Sequence, residues 1–141
     1  MNRANILILM AFLVLLGACD SSEKTLFRKD GNWEMTSKKL EVFSEGELQT
    51  SEIQQDPGIM YQFEKEGKGS RFENGKATEI EWNHLNEFVE QIIISYPDNT
   101  ELEETWEVLV FEKGYQKWVW VQQGLVFGSW VRIEVTIELA R

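Results

Sequence analysis

The sequence predicts an all-β protein: an antiparallel up-and-down barrel of about eight strands, preceded by an amino-terminal signal helix. Three observations predict it. Apolar and polar residues alternate in several short runs, the period-two signature of strands with one buried face. Only two prolines occur, and the ten glycines fall mostly between those runs, where turns belong. No helix of conventional length is evident after the first eighteen residues. A β-sandwich is the main competing arrangement.

The first element is the signal. Arg3 supplies a short basic region, an apolar run extends from Ile6 to Leu16, and Leu16-Gly17-Ala18-Cys19 follows at once. A helix of eleven residues reaches about 16 Å, well short of the ~30 Å hydrocarbon core, so this stretch reads as a secretion signal and not a span. Leu-Gly-Ala-Cys resembles the lipobox of bacterial lipoproteins. That resemblance implies cleavage between Ala18 and Cys19, with Cys19 carrying a diacylglyceryl group and further acyl chains such as palmitate. Two or more chains give durable attachment where one is marginal. Membrane lipid held through acylated Cys19 is thus the first expected partner, and the cell envelope the expected location, with the outer membrane favoured. Asp20 resembles an inner-membrane retention signal in some bacteria and accompanies surface display in others, so the leaflet stays open. Residues 1–18 are then the signal peptide, and 19–26 a lipidated polar tether.

Residues 27–141 form the expected domain. The chain without residues 1–18 has 123 residues, with thirteen basic against 24 acidic side chains and a net charge of −11. One compact domain fits that length. The charge argues against nucleic-acid binding, which needs Lys and Arg on phosphates. Cys19 is the only cysteine, so the domain has no internal disulfide.

The first strand begins at Gly31-Asn32-Trp33 and runs through Met35 to Val42 and Phe43. Ser44 to Gly58 is polar and acidic without an apolar run, and reads as a long mobile loop. Tyr61–Glu64 and Ser70–Phe72 flank Lys65-Glu66-Gly67-Lys68-Gly69 as a hairpin, and Ile80 with Trp82 opens a further short strand. Leu85, Phe88, Val89 and Ile92 have helical spacing, whereas Ile92, Ile93, Ile94 and Tyr96 favour a strand. This predicts a loop or single helical turn over 85–91, then a strand ended by Pro97-Asp98-Asn99. Trp106, Val108 and Val110 pair with Trp118 and Trp120 across Glu112-Lys113-Gly114, a hairpin in which Gly114 is expected to take a positive φ. The last strand is the clearest: Val131, Ile133, Val135, Ile137 and Leu139 alternate with Arg132, Glu134, Thr136 and Glu138.

Gly31-x-Trp33, the strand ending at Phe63 before Gly67-x-Gly69, and the terminal alternating strand together resemble the small lipocalin-like lipoproteins common among Bacteroidota. The resemblance covers most of residues 27–141 and implies a barrel that can hold a small, partly apolar ligand. It also implies that Gly31 and Trp33 form a structural motif, with Trp33 packed at the closed end beneath a late arginine, either Arg132 or Arg141. Residues 44–58 would then lie near the open end. No single ligand is implied, because function resides in the site and not the barrel.

The chemical inventory is thin. His84 is the only histidine and reads as a surface residue in a turn; it supports neither a histidine-rich metal site nor, without a Gly-x-Ser-x-Gly turn, a serine triad. Glu101, Glu103 and Glu104 beside Asp98 lack the spacing of a dedicated calcium loop. No enzyme, cofactor or metal is therefore expected. Six tryptophans stand out. Most are expected to fill the core, while Trp118, Trp120 and Trp130, with Trp82 and Phe63, are the candidates for a pocket or contact surface. Two functions are carried forward: a binder of a small apolar ligand, and a protein-interaction module acting as inhibitor or accessory subunit of an envelope protein complex.

Overall fold

The computed structural model describes residues 21–86 and 88–141. Residues 1–20, which include the expected signal segment, Ala18 and Cys19, lie outside the described residues. A short helix, α1 (Ser21–Phe27), leads through a 3₁₀ turn (Lys29–Gly31) into nine strands. These are β1 (Asn32–Ser44), β2 (Glu47–Gln55), β3 (Ile59–Phe63), β4 (Lys68–Glu73), β5 (Lys76–Asn86), β6 (Glu90–Tyr96), β7 (Asn99–Phe111), β8 (Tyr115–Val126) and β9 (Ser129–Ala140). From β3 onward each strand pairs antiparallel with the next, β9 returns to β1, and β1 pairs with β3. Eight strands thus close into an up-and-down barrel, and β2 is an additional strand held only by β1.

That additional strand corrects the expectation for residues 44–58. Glu45 and Gly46 both take positive φ, 51° and 84°, and turn the chain tightly so that β2 runs back along β1. All nine β2 residues are exposed, because the strand lies on an edge beyond the barrel with no buried face, and no alternation marks it in the sequence. At Asp56-Pro57-Gly58 the chain kinks, and β3 then takes over the same edge of β1, at Asn32–Glu34. The Asp56 N–H donates to the Thr36 carbonyl (2.9 Å), beside the β1 bulge at Thr36.

Two other expectations change. Residues 85–91 contain no helical turn among the described residues: β5 continues to Asn86 and β6 starts at Glu90. Gly114 does not adopt positive φ, although the hairpin it closes is formed.

The interior is filled at one end. Trp33, Tyr61, Phe63, Trp118, Ile80, Ile92, Ile94, Ile137 and Leu139 are each at most 2% exposed, so they pack against one another with almost no surface left open. Phe63 joins this cluster, 5.5 Å from Trp82 edge to face and 6.0 Å from Trp118. Each of the four interior indoles donates its N–H. Trp33 bonds the Leu26 carbonyl (2.9 Å), Trp82 the Lys68 carbonyl (2.6 Å), Trp106 the Glu104 carboxylate (2.9 Å) and Trp118 the Gln116 side chain (3.2 Å).

Helix α1 caps this end. Thr25 and Leu26 are buried and Phe27 packs near Trp82, so residues 25 and 26, expected in the tether, pack with the domain that Phe27 opens. Gly31 turns the chain at φ +66°, and a Cβ there would stand 1.9 Å from the Phe63 carbonyl oxygen, so both conformation and space require glycine. Arg141, not Arg132, lies over the Trp33 ring, 4.1 Å from its centroid. Its guanidinium also donates to the carbonyls of Thr25 and Arg28. The register explains the choice. Ala140 pairs with Glu34 beside Trp33, whereas Arg132 pairs with Phe43 near the far end of β1.

Candidate functional site

The strands around the barrel differ in length, and this builds the site. β3 has five residues and β4 six, whereas β1, β8 and β9 have twelve or thirteen. Pairing of β7 with β8 ends at Val119, beyond which β8 pairs only with β9. A four-stranded sheet in the order β2-β1-β9-β8 therefore projects past the closed ring. The eight residues Ser37–Ser44 of β1 within it extend on the order of 25 Å.

Cross-strand pairing assigns the two faces. Ile137 is buried inside the barrel, so its partners and their period-two neighbours share its side. Leu40, Val42, Trp120, Val131, Ile133 and Val135 accordingly form an apolar inner face above the packed core. The opposite face carries Phe43, Leu48, Leu125 and Trp130, with Arg132 stacked 5.7 Å from the Phe43 ring centroid. A shallow cleft of about 300 Å³ lies there, lined by Phe43, Gly46, Gln123, Trp130, Val131 and Arg132.

Exposed apolar side chains concentrate on this projection: Leu48, Ile53, Val121, Leu125, Val126, Phe127 and Trp130. Grouped exposure of this kind marks an interaction surface more than isolated residues do. Phe127 is the sharpest case. It is fully exposed at the tip of the β8–β9 hairpin and sits at φ +50°, a conformation that a bulky side chain rarely adopts. The Glu45 N–H donates to the Trp130 carbonyl (2.9 Å) and the Trp130 N–H to the Glu45 carboxylate (2.6 Å), so the two hairpin tips are tied together.

Below the projection, at the barrel mouth, a polar group of side chains lines the interior. Arg71 pairs across strands with the buried Tyr61 and forms an ion pair with Glu73 (2.9 Å), while its buried Nε has no hydrogen-bond partner among the described residues. Tyr96 donates to Glu104 (3.0 Å), which also accepts from Trp106. Burial, reinforced by the negative charge of Glu104, pushes the hydroxyls of Tyr61 and Tyr96 well above the usual tyrosine range.

The structure separates the candidate aromatic residues. Trp118 and Phe63 are at most 1% exposed and lie in the packed core with Trp82, which also borders a surface cleft beside Gly67, Lys68 and Glu81. Trp120 packs on the upper edge of that core, and Trp130 alone stands on the exposed projection. His84 is not a surface turn residue: it lies in β5 with its side chain 6% exposed, paired with Glu90 (2.8 Å) and stacked on Phe111. Glu104 is engaged by Tyr96 and Trp106, and among the described residues no group of three or more His, Cys, Asp or Glu is placed to hold a metal ion. Sequence reasoning missed Phe127, Leu125, Leu48 and Ile53. The adjoining Phe127-Gly128 and Glu45-Gly46 pairs, both two-residue turns with positive φ at each position, were the available signal. Comparison with family models, with curated proteins and with solved structures gives no match for this chain.

Proposed function

We propose that this chain is a membrane-anchored, lipocalin-like lipoprotein, without enzymatic activity, that engages an envelope protein through the projecting sheet. The observation that carries the reading is the contrast between a barrel end filled by aromatic side chains and a projection on which exposed apolar residues, a strained Phe127 and an unpaired strand edge come together. Partner binding needs accessible apolar surface, and the projection supplies it. The orientation supports the reading too. The chain enters the barrel through α1 at the closed end, and Ser21 follows Cys19 by two positions, so a lipid on Cys19 would direct the projection away from the membrane.

The test is a double substitution, Phe127→Ser with Trp130→Ser, in the lipidated protein in its own cells, with chemical cross-linking to trap complexes. Loss of a discrete adduct, with an unchanged circular dichroism spectrum, is expected. An adduct pattern indifferent to both residues would contradict the reading.

A second reading is supported by the unpartnered Nε of Arg71 below the apolar inner face: a small, partly apolar molecule seated at the mouth with an acceptor group on Arg71. Native mass spectrometry of the protein from its host tests it. A bound mass that is lost in Arg71→Met supports this reading, and its absence from the wild-type protein counts against it.

A further inference from the structure

We infer that the outer edge of β2 accepts an extended, basic segment of a partner protein as an added antiparallel or parallel strand. The inference rests on the partner-binding reading above and names the chemistry of the partner. β2 pairs with β1 along one side, and among the described residues no backbone hydrogen bond engages its other side over Glu47–Gln55. Alternate N–H and C=O groups of a nine-residue strand therefore face water, which is the template used in strand addition. The neighbouring wall does not cover them: β4 rises only to Glu73, opposite Ile59, and then turns back at Asn74-Gly75.

Exposed edges in soluble proteins are usually guarded by lysine, by proline within the strand, or by shortness. β2 contains neither lysine nor proline and is nine residues long; its only guards are Glu47, Glu52 and a bulge at Gln49, which leaves Thr50–Gln55 as an uninterrupted template. The charge around it has one sign. From Leu40 to Glu64 there is no Lys or Arg, while Glu41, Glu45, Glu47, Glu52, Asp56 and Glu64 are all acidic. A second copy of this chain would set Glu47 and Glu52 against their own counterparts, on a molecule of net charge −10, so self-pairing is opposed. Lysine or arginine on an incoming strand would meet Glu47 and Glu52 instead, while Ile53 and Leu48 offer apolar contacts for its intervening residues.

The test uses the full chain in detergent micelles and three nine-residue peptides: alternating lysine and valine, the same with two central prolines, and alternating glutamate and valine. Amide hydrogen exchange and chemical shifts are read by NMR. The lysine peptide is expected to slow exchange at alternate amides of Glu47–Gln55 by at least tenfold, and to bind at least tenfold more tightly than the other two. Equal binding of the proline peptide would reduce the interaction to surface charge and overturn strand addition. Binding that leaves the β2 amides unprotected, or no binding of the lysine peptide, would overturn it too. If in-cell cross-links nevertheless depend on Phe127 and Trp130, the partner-binding reading survives and only the role of β2 fails.

Discussion

Phe127 and Phe88 are both almost fully exposed phenylalanines in hairpin connections, at opposite ends of the barrel, and their surroundings differ. Phe88 lies between β5 and β6 at the end closed by Trp33, Arg141 and α1, where each interior indole has an acceptor and the core has little accessible surface. Phe127 crowns a sheet in which hydrogen bonding is left incomplete and apolar residues remain in water. The closed end exposes Phe88 and Val89 beside a core that is satisfied internally, whereas the projecting end groups more exposed apolar residues with free backbone donors and acceptors and with charge.

The largest way to break this contrast is in the core. Trp118→Ala should cost about 3–5 kcal/mol in urea unfolding, while Trp130→Ser should stay within about 0.5 kcal/mol. Comparable losses at the two positions would mean that the projection is part of the stabilising core. At the cap, Arg141→Met should cost about 1–2 kcal/mol through loss of the stacking on Trp33 and of donors to Thr25 and Arg28, and Arg132→Met much less. Equal effects would dissolve the assignment of Arg141 to Trp33.

The mouth gives a pH-dependent test. Tyr61 and Tyr96 titrate higher in the folded than in the unfolded chain, where tyrosine loses its proton near pH 10. The stability they contribute is thus fully present below about pH 10 and is lost as pH rises above it, when the unfolded state sheds protons that the folded state keeps. Denaturation at pH 9, 10 and 11 should show that decline, and Tyr96→Phe should flatten it. The smallest effect is expected at the tip. Phe127→Asn suits positive φ and should raise stability by up to about 0.5 kcal/mol while weakening partner binding.

Legibility from sequence followed burial. β9 was readable because one face is inside and the other wet, and the Trp106–Trp120 hairpin because its strands flank a polar turn. β2 was not readable, since Glu47–Gln55 has solvent on both faces and so no periodicity; only Glu45-Gly46 marked its turn. The alternating tryptophans showed that a face was apolar, but an apolar face can line a cavity or fill one, and only the packing of Trp118 against Phe63 and Trp106 decided it. Choosing between Arg132 and Arg141 required the register of β9 on β1, which residue types alone do not encode. Phe127 was one more phenylalanine until the turn placed it, exposed, at positive φ.

The central claim is that the projection, not the closed end, meets the partner. A photo-crosslinking phenylalanine analogue placed at position 127, and separately at position 88, in the full chain expressed in living cells tests it most directly. A discrete protein adduct from 127 and none from 88 is the expected result. An adduct from 88 with none from 127 would contradict the account.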